Sequence, residues 1–146
     1  MIDTEQALQE IVRVAQSGRD LFVDIGSRTG EGEVREAFAY VADVKKRLIE
    51  GLATWTPPAP SARPASTIVA TVEKLYADVR QHFHGDAPAS VAHALTFGEG
   101  QLLSLTERAF EGTRVPALRQ LLKSYYSELS ICQQAMSRLR TRRLAA

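Results

Sequence analysis

The 146-residue chain has little of several things, and each scarcity excludes something. A single cysteine, Cys132, excludes an internal disulfide framework and suits a reducing compartment. Only 7% of the residues are aromatic, and the apolar ones never run unbroken for the roughly 18 residues needed to cross a bilayer. The N-terminal stretch MIDTEQALQE is acidic and polar, the reverse of a secretory leader. The expected setting is therefore the cytoplasm, with no membrane partner. Eighteen basic residues against 17 acidic ones leave a net charge of +1, so no basic excess points to nucleic acid. Histidine is scarce as well: only His82, His84 and His93. No window alternates apolar and polar residues with β-branched enrichment, which excludes a conventional sheet.

What the chain does have is helical periodicity, with apolar residues recurring every three or four positions. A first helix is expected over about 3–28, with Leu8, Ile11, Val12, Ala15, Phe22 and Ile25 on its stripe and Gly18 among them. A second is expected over about 33–54, with Val34, Phe38, Val41, Leu48 and Leu52. The short glycine-bearing break Thr29-Gly30-Glu31-Gly32 makes these two an antiparallel hairpin. The segment 56–64, TPPAPSARP, carries four prolines in nine residues and is expected to be an extended spacer. A proline-rich docking motif is the other reading of it. A shorter helix over about 66–82 has Ile68, Val72, Leu75, Tyr76 and Val79 on its stripe, with Phe83 beyond its end and Ser66 or Thr67 as its cap. A fourth follows over about 88–111, with Val91, Leu95, Gly98, Leu102, Leu105 and Ala109. A fifth runs over about 116–142, with Leu118, Leu121, Leu122, Tyr125, Leu129, Cys132, Met136 and Leu139. These last two form a second hairpin. Two hairpins bury their stripes best against each other, so one all-α domain over 1–146 is expected: a four-helix bundle plus a short crossover helix.

That plan resembles the ferritin-like superfamily, and within it a bacterial family of four-helix proteins of unassigned function. The residues carrying the resemblance are Ser17-Gly18-Arg19-Asp20-Leu21-Phe22, Gly98-Glu99, and Lys45 with Leu48. The resemblance implies a ferritin-like bundle, a stress-associated or protein-contact role, and association of copies into a homodimer or with another protein. It also raises a di-iron alternative. Such centres need a carboxylate on two helices and Glu-x-x-His on the other two. Here the residue three after Glu128 is Ile131, Arg19 stands where the family has a carboxylate, and no histidine falls on the first, second or fifth helix. No metal, cofactor or catalytic residue is therefore expected.

Four charged residues fall at stripe edges near mid-helix, one per long helix: Arg19, Lys45, Glu99 and Glu128. They are expected either to snorkel to solvent or to meet as an internal ion network where a relative would hold metal. Glu99 and Glu128 alone would be a residual metal pair. Other candidates have plainer readings. His82-x-His84 near Asp86 is a weak metal spacing at a helix end, and Cys132 reads as a small core hydrophobe. Arg138, Arg140, Arg142 and Arg143 complement a helix C-terminus; a regulatory contact with an anionic partner is the alternative. Tyr40, Trp55, Phe97, Tyr126 and Leu144 lie off the main stripes and are candidate interface residues.

Overall fold

The computed structural model describes residues 4–30, 32–56, 66–84 and 89–145. Five helices account for almost all of them, and no strand occurs among the described residues. They are α1 (Thr4–Arg28), α2 (Gly32–Leu52), α3 (Thr67–His82), α4 (Ala89–Gly112) and α5 (Pro116–Ala145). The proline-rich stretch 57–64, Asp86 and the side chains of Arg140, Arg142, Arg143 and Leu144 lie outside the described residues, and with them the expectations placed there.

Local chemistry explains most of the boundaries. Ser66 accepts a hydrogen bond from the Val69 N–H at 3.3 Å and starts α3. α2 stops two residues before the expected Thr54 because the chain tightens into a turn. Ala53 N–H bonds Glu50 O at 3.3 Å, Trp55 N–H bonds Leu52 O at 2.9 Å, and the Thr56 hydroxyl donates to Leu52 O at 2.8 Å. Arg35 donates to Thr29 O at 2.9 Å and ties the α1–α2 turn. Arg119 does the same for the α4–α5 turn, donating to Phe110 O at 2.8 Å and Thr113 O at 3.0 Å, while its guanidinium lies 4.0 Å from the Phe110 ring centre. α5 continues past the expected Arg142 to Ala145.

The four long helices form a ring in the order α1, α2, α5, α4, each in contact with the next. Their directions alternate. Thr4 at the start of α1 donates to Gly112 O at the end of α4, 3.2 Å away, so α1 and α4 are antiparallel. Tyr125 on α5 donates to Arg47 O at 2.5 Å and lies against Gly51, which sets α2 beside α5. α2 and α4 are thus diagonal partners across the core. α3 lies outside the ring, in the groove between α1 and α4. Because α1 must face α2, α4 and α3, its buried surface is wider than the expected stripe and takes in Val14 and Leu21, whereas Val12 is only partly buried. On α3 the buried stripe is Val69, Val72, Tyr76 and Val79, continued by Phe83. The expected Ile68 and Leu75 sit at its flanks, one turn position off the groove.

The core is continuous through all five helices, and Phe22, Phe38 and Phe83 form an aromatic chain with ring centres 5.6 and 6.4 Å apart. Leu102 and Leu129 are fully buried, on α4 and α5. Truncating either to alanine leaves a cavity that close-packed neighbours cannot fill. Leu102→Ala and Leu129→Ala are each expected to lower the unfolding free energy by about 2–5 kcal/mol in urea titration. A loss below about 0.5 kcal/mol would contradict this packing.

Candidate functional site: a buried lysine–glutamate pair

Lys45 on α2 and Glu99 on α4 are both 0% exposed, and the Lys45 Nζ donates to Glu99 Oε1 across the diagonal of the bundle. An isolated charge in such surroundings costs many kcal/mol, so each of these two depends on the other. The Lys45 Nζ also lies 5.3 Å from the centre of the Phe22 ring on α1, which adds a cation–π contact.

Two glycines make the site possible. The Lys45 stem passes so close to α1 that a Cβ on Gly18 would lie 2.5 Å from Lys45 Cε and 3.0 Å from Cδ. On α4, a Cβ on Gly98 would lie 2.6 Å from Tyr76 Cε1 and 2.7 Å from its Cζ. Glycine in a helix interior costs roughly 1 kcal/mol relative to alanine. At these two positions that cost is offset by the close approach of Lys45 and of Tyr76. The Tyr76 ring therefore spans from Gly18 to Gly98, on the α3 side of the ion pair. Its hydroxyl is buried and finds no hydrogen-bond partner, and neither does Glu99 Oε2.

The surroundings are hostile to further charge. Burial foremost, then the Glu99 charge, holds the Tyr76 phenol well above its ordinary range. Burial pushes the Cys132 thiol up to about 12, against a smaller downward pull from Lys45. Cys132 is therefore a poor thiolate nucleophile, and it packs as a core side chain.

Of the four stripe-edge charges, the structure brings Lys45 and Glu99 together and leaves the other two outside the pair. Arg19 is exposed. The reason is that Gly18 and Phe22 take the inward positions of that turn, and Arg19 is rotated about 100° beyond Gly18. Glu128 sits at the bundle surface with its side chain 30% exposed, accepting from Arg47 Nη1 at 2.7 Å; Arg47 also binds Asp43 at 2.9 Å. Glu99 and Glu128 thus have separate cationic partners. Phe22, Tyr76 and the spacing role of the two glycines are the parts of the site that sequence reasoning missed. A glycine in the middle of each of two apolar stripes was the available signal, since it marks close approach by a neighbouring group.

His84 and His93 are exposed, as is His82, whose ring contacts Asp78 O at 2.9 Å. Among the described residues no group of three histidine, cysteine, aspartate or glutamate side chains converges on one point. Of the off-stripe aromatics, Tyr40, Phe97 and Tyr126 are 38–39% exposed. α3 therefore leaves Phe97 partly uncovered. Trp55, in contrast, packs against the core rather than standing free. Tyr126 borders a surface groove of about 300 Å³ between α4 and α5, with Phe110 and Leu122 on its walls.

Set against protein-family models, curated proteins and solved structures, the chain has no significant match.

Two outcomes follow from the pair and its shell. Glu99→Gln strands a buried ammonium and is expected to cost about 3–5 kcal/mol, whereas Glu128→Gln, which breaks a half-exposed pair, is expected to cost less than about 1 kcal/mol. Equal losses in urea titration would contradict the burial difference. The second outcome concerns alkaline pH. A thiol and a phenol that stay protonated longer in the folded chain than in the unfolded one contribute stability that is complete below their unfolded values. That stability is lost as pH rises: from about 9 for Cys132 and from about 10 for Tyr76. Cys132→Ala should flatten the first part of the decline and Tyr76→Phe the second, read as urea midpoints at stepped pH. Unchanged slopes in both variants would contradict the assignment.

Proposed function

We propose that this chain is a non-catalytic, ferritin-like helical-bundle protein acting through protein contacts in a cytoplasmic structural or stress-associated role. The observation that carries the reading is the Lys45 ammonium paired with Glu99 at the centre of the bundle. A ferritin-like di-iron site needs carboxylates and imidazoles facing that centre. Here one inward position is a cation, its carboxylate partner is engaged by it, and the described histidines lie at the surface. The donor set does not fit a di-iron group.

The helix order supports the ferritin-like part of the reading. α2 and α4 run in the same direction, joined by one long crossover that includes α3, and ferritin-like folds are bundles with one such connection. The protein-contact part is supported by the partly exposed Tyr40, Phe97 and Tyr126 and by the groove beside Tyr126. Aromatic side chains of this kind are enriched at interfaces, in homodimers as well as in complexes with other proteins. Among the described residues no helix is long and apolar enough to cross a membrane.

Elemental analysis of protein purified without a metal-affinity tag tests the reading. Iron, manganese and zinc each well below one equivalent per chain are expected, before and after incubation with Fe(II). One or more equivalents retained through gel filtration would overturn the non-metal reading and favour the di-iron alternative.

A further inference from the structure

α3 meets α1 and α4 through different chemistry. Toward α1 it is held by polar clips at the solvent rim. Glu73 takes both Arg13 Nε at 2.9 Å and Arg13 Nη2 at 3.0 Å, and accepts from the Ser17 hydroxyl at 3.3 Å. Arg80 meets Asp24 at 3.3 Å. Arg28 donates to Arg80 O at 3.0 Å and to Phe83 O at 3.3 Å, with its guanidinium 5.4 Å from the Phe83 ring centre. Toward α4 the Tyr76 ring is pressed into the gap at Gly98. That ring stands over the ion pair, since its one edge reaches within 3.5 Å of a Cβ built on Gly18, where the Lys45 stem passes, and its hydroxyl end lies beside Glu99's neighbour Gly98.

Two polar atoms sit at this closed site. Both Tyr76 Oη and Glu99 Oε2 are buried without a partner. Both atoms can take hydrogen bonds from or to water once it reaches this space. The rest of the α3 inner face is Val69, Val72 and Val79, continued by Phe83. Local opening of a peripheral element well below the global unfolding free energy is a general property of folded domains.

We propose that α3 is a hinged cover: it swings away from α4 about its clips to α1, withdraws Tyr76 from Gly98, and admits small solvent-borne molecules to the Lys45 amine while the four-helix ring stays folded. The chain thereby holds a lysine that is sealed in one state and accessible in another.

Cys132 supplies the internal control. It is fully buried in the same core but on α5, the helix diagonal to α1 and away from α3. The folded wild-type protein is treated in parallel with a small acetylating reagent and a small thiol reagent, and modification of Lys45 and Cys132 is followed by peptide mass spectrometry. Each rate is divided into the rate for the same residue in the urea-unfolded chain. The expected result is that Lys45 is protected at least tenfold less than Cys132. Gly98→Ala, which displaces Tyr76, should speed Lys45 acetylation several-fold while Cys132 protection stays within twofold. Equal protection of the two residues would show that Lys45 has no access route of its own and would overturn the proposal. Protection of Lys45 greater than that of Cys132 would overturn it as well. Should Gly98→Ala not fold, the wild-type comparison decides alone.

Discussion

Lys45 and Glu99 form a contact that reaches diagonally through the bundle, and much of the surrounding sequence is arranged around it. The Lys45 ammonium begins on α2, runs past α1 and ends on a carboxylate of α4. A link between diagonal helices constrains the ring more than a contact between neighbours, because it fixes the rotation of two helices whose backbones are not adjacent. It also constrains composition. Gly18 and Gly98 must lack side chains, Phe22 must offer a ring face, and a large residue on α3 must close the outer side. Replacing such a pair with apolar residues of matched volume is often neutral or stabilising in other proteins. Its presence here is thus better understood as specification of helix rotation than as a source of net stability.

The contrast between the two lysine- and arginine-carboxylate links of α2 shows how strongly position governs energy. Arg47, two residues after Lys45, pairs with Glu128 and Asp43 at the surface, where water competes for every charge. Lys45 makes one such link without water. Two residues of helix turn the side chain by about 200°, which is enough to move it from the surface seam between α2 and α5 to the centre of the bundle. The same logic separates Arg19 from Gly18 on α1.

α3 gives the molecule its asymmetry. It fills the groove between α1 and α4, supplies the residue that seals the ion pair, and widens the buried face of α1 beyond what a four-helix ring alone requires. Among the described residues nothing covers the opposite seam, between α2 and α5, in this way; Tyr40, Arg47, Tyr125 and Glu128 meet there at or near the surface. One side of the bundle is therefore a layered, sealed face, and the other an open one carrying polar and aromatic side chains.

Helix number, order and approximate ends were legible from periodicity and from the Gly and Pro breaks, because those signals are local: a 3.6-residue repeat and a backbone that cannot continue. The all-helical class and the buried stripes of α2, α4 and α5 followed from the same repeat. Ser66 as a cap and Lys45 and Glu99 as stripe-edge charges were visible in the same way. What periodicity could not decide was which of four edge charges would turn inward. Arg19, Lys45, Glu99 and Glu128 sit at similar angles to their stripes; the choice depended on where a facing helix left room, at Gly18 and Gly98, and on which opposite charge lay within reach. The shift of the α3 stripe from Ile68 to Val69 has the same origin. A residue's own helix sets its angle, but only the packing of the neighbouring helices determines whether that angle meets water, a cavity or a partner.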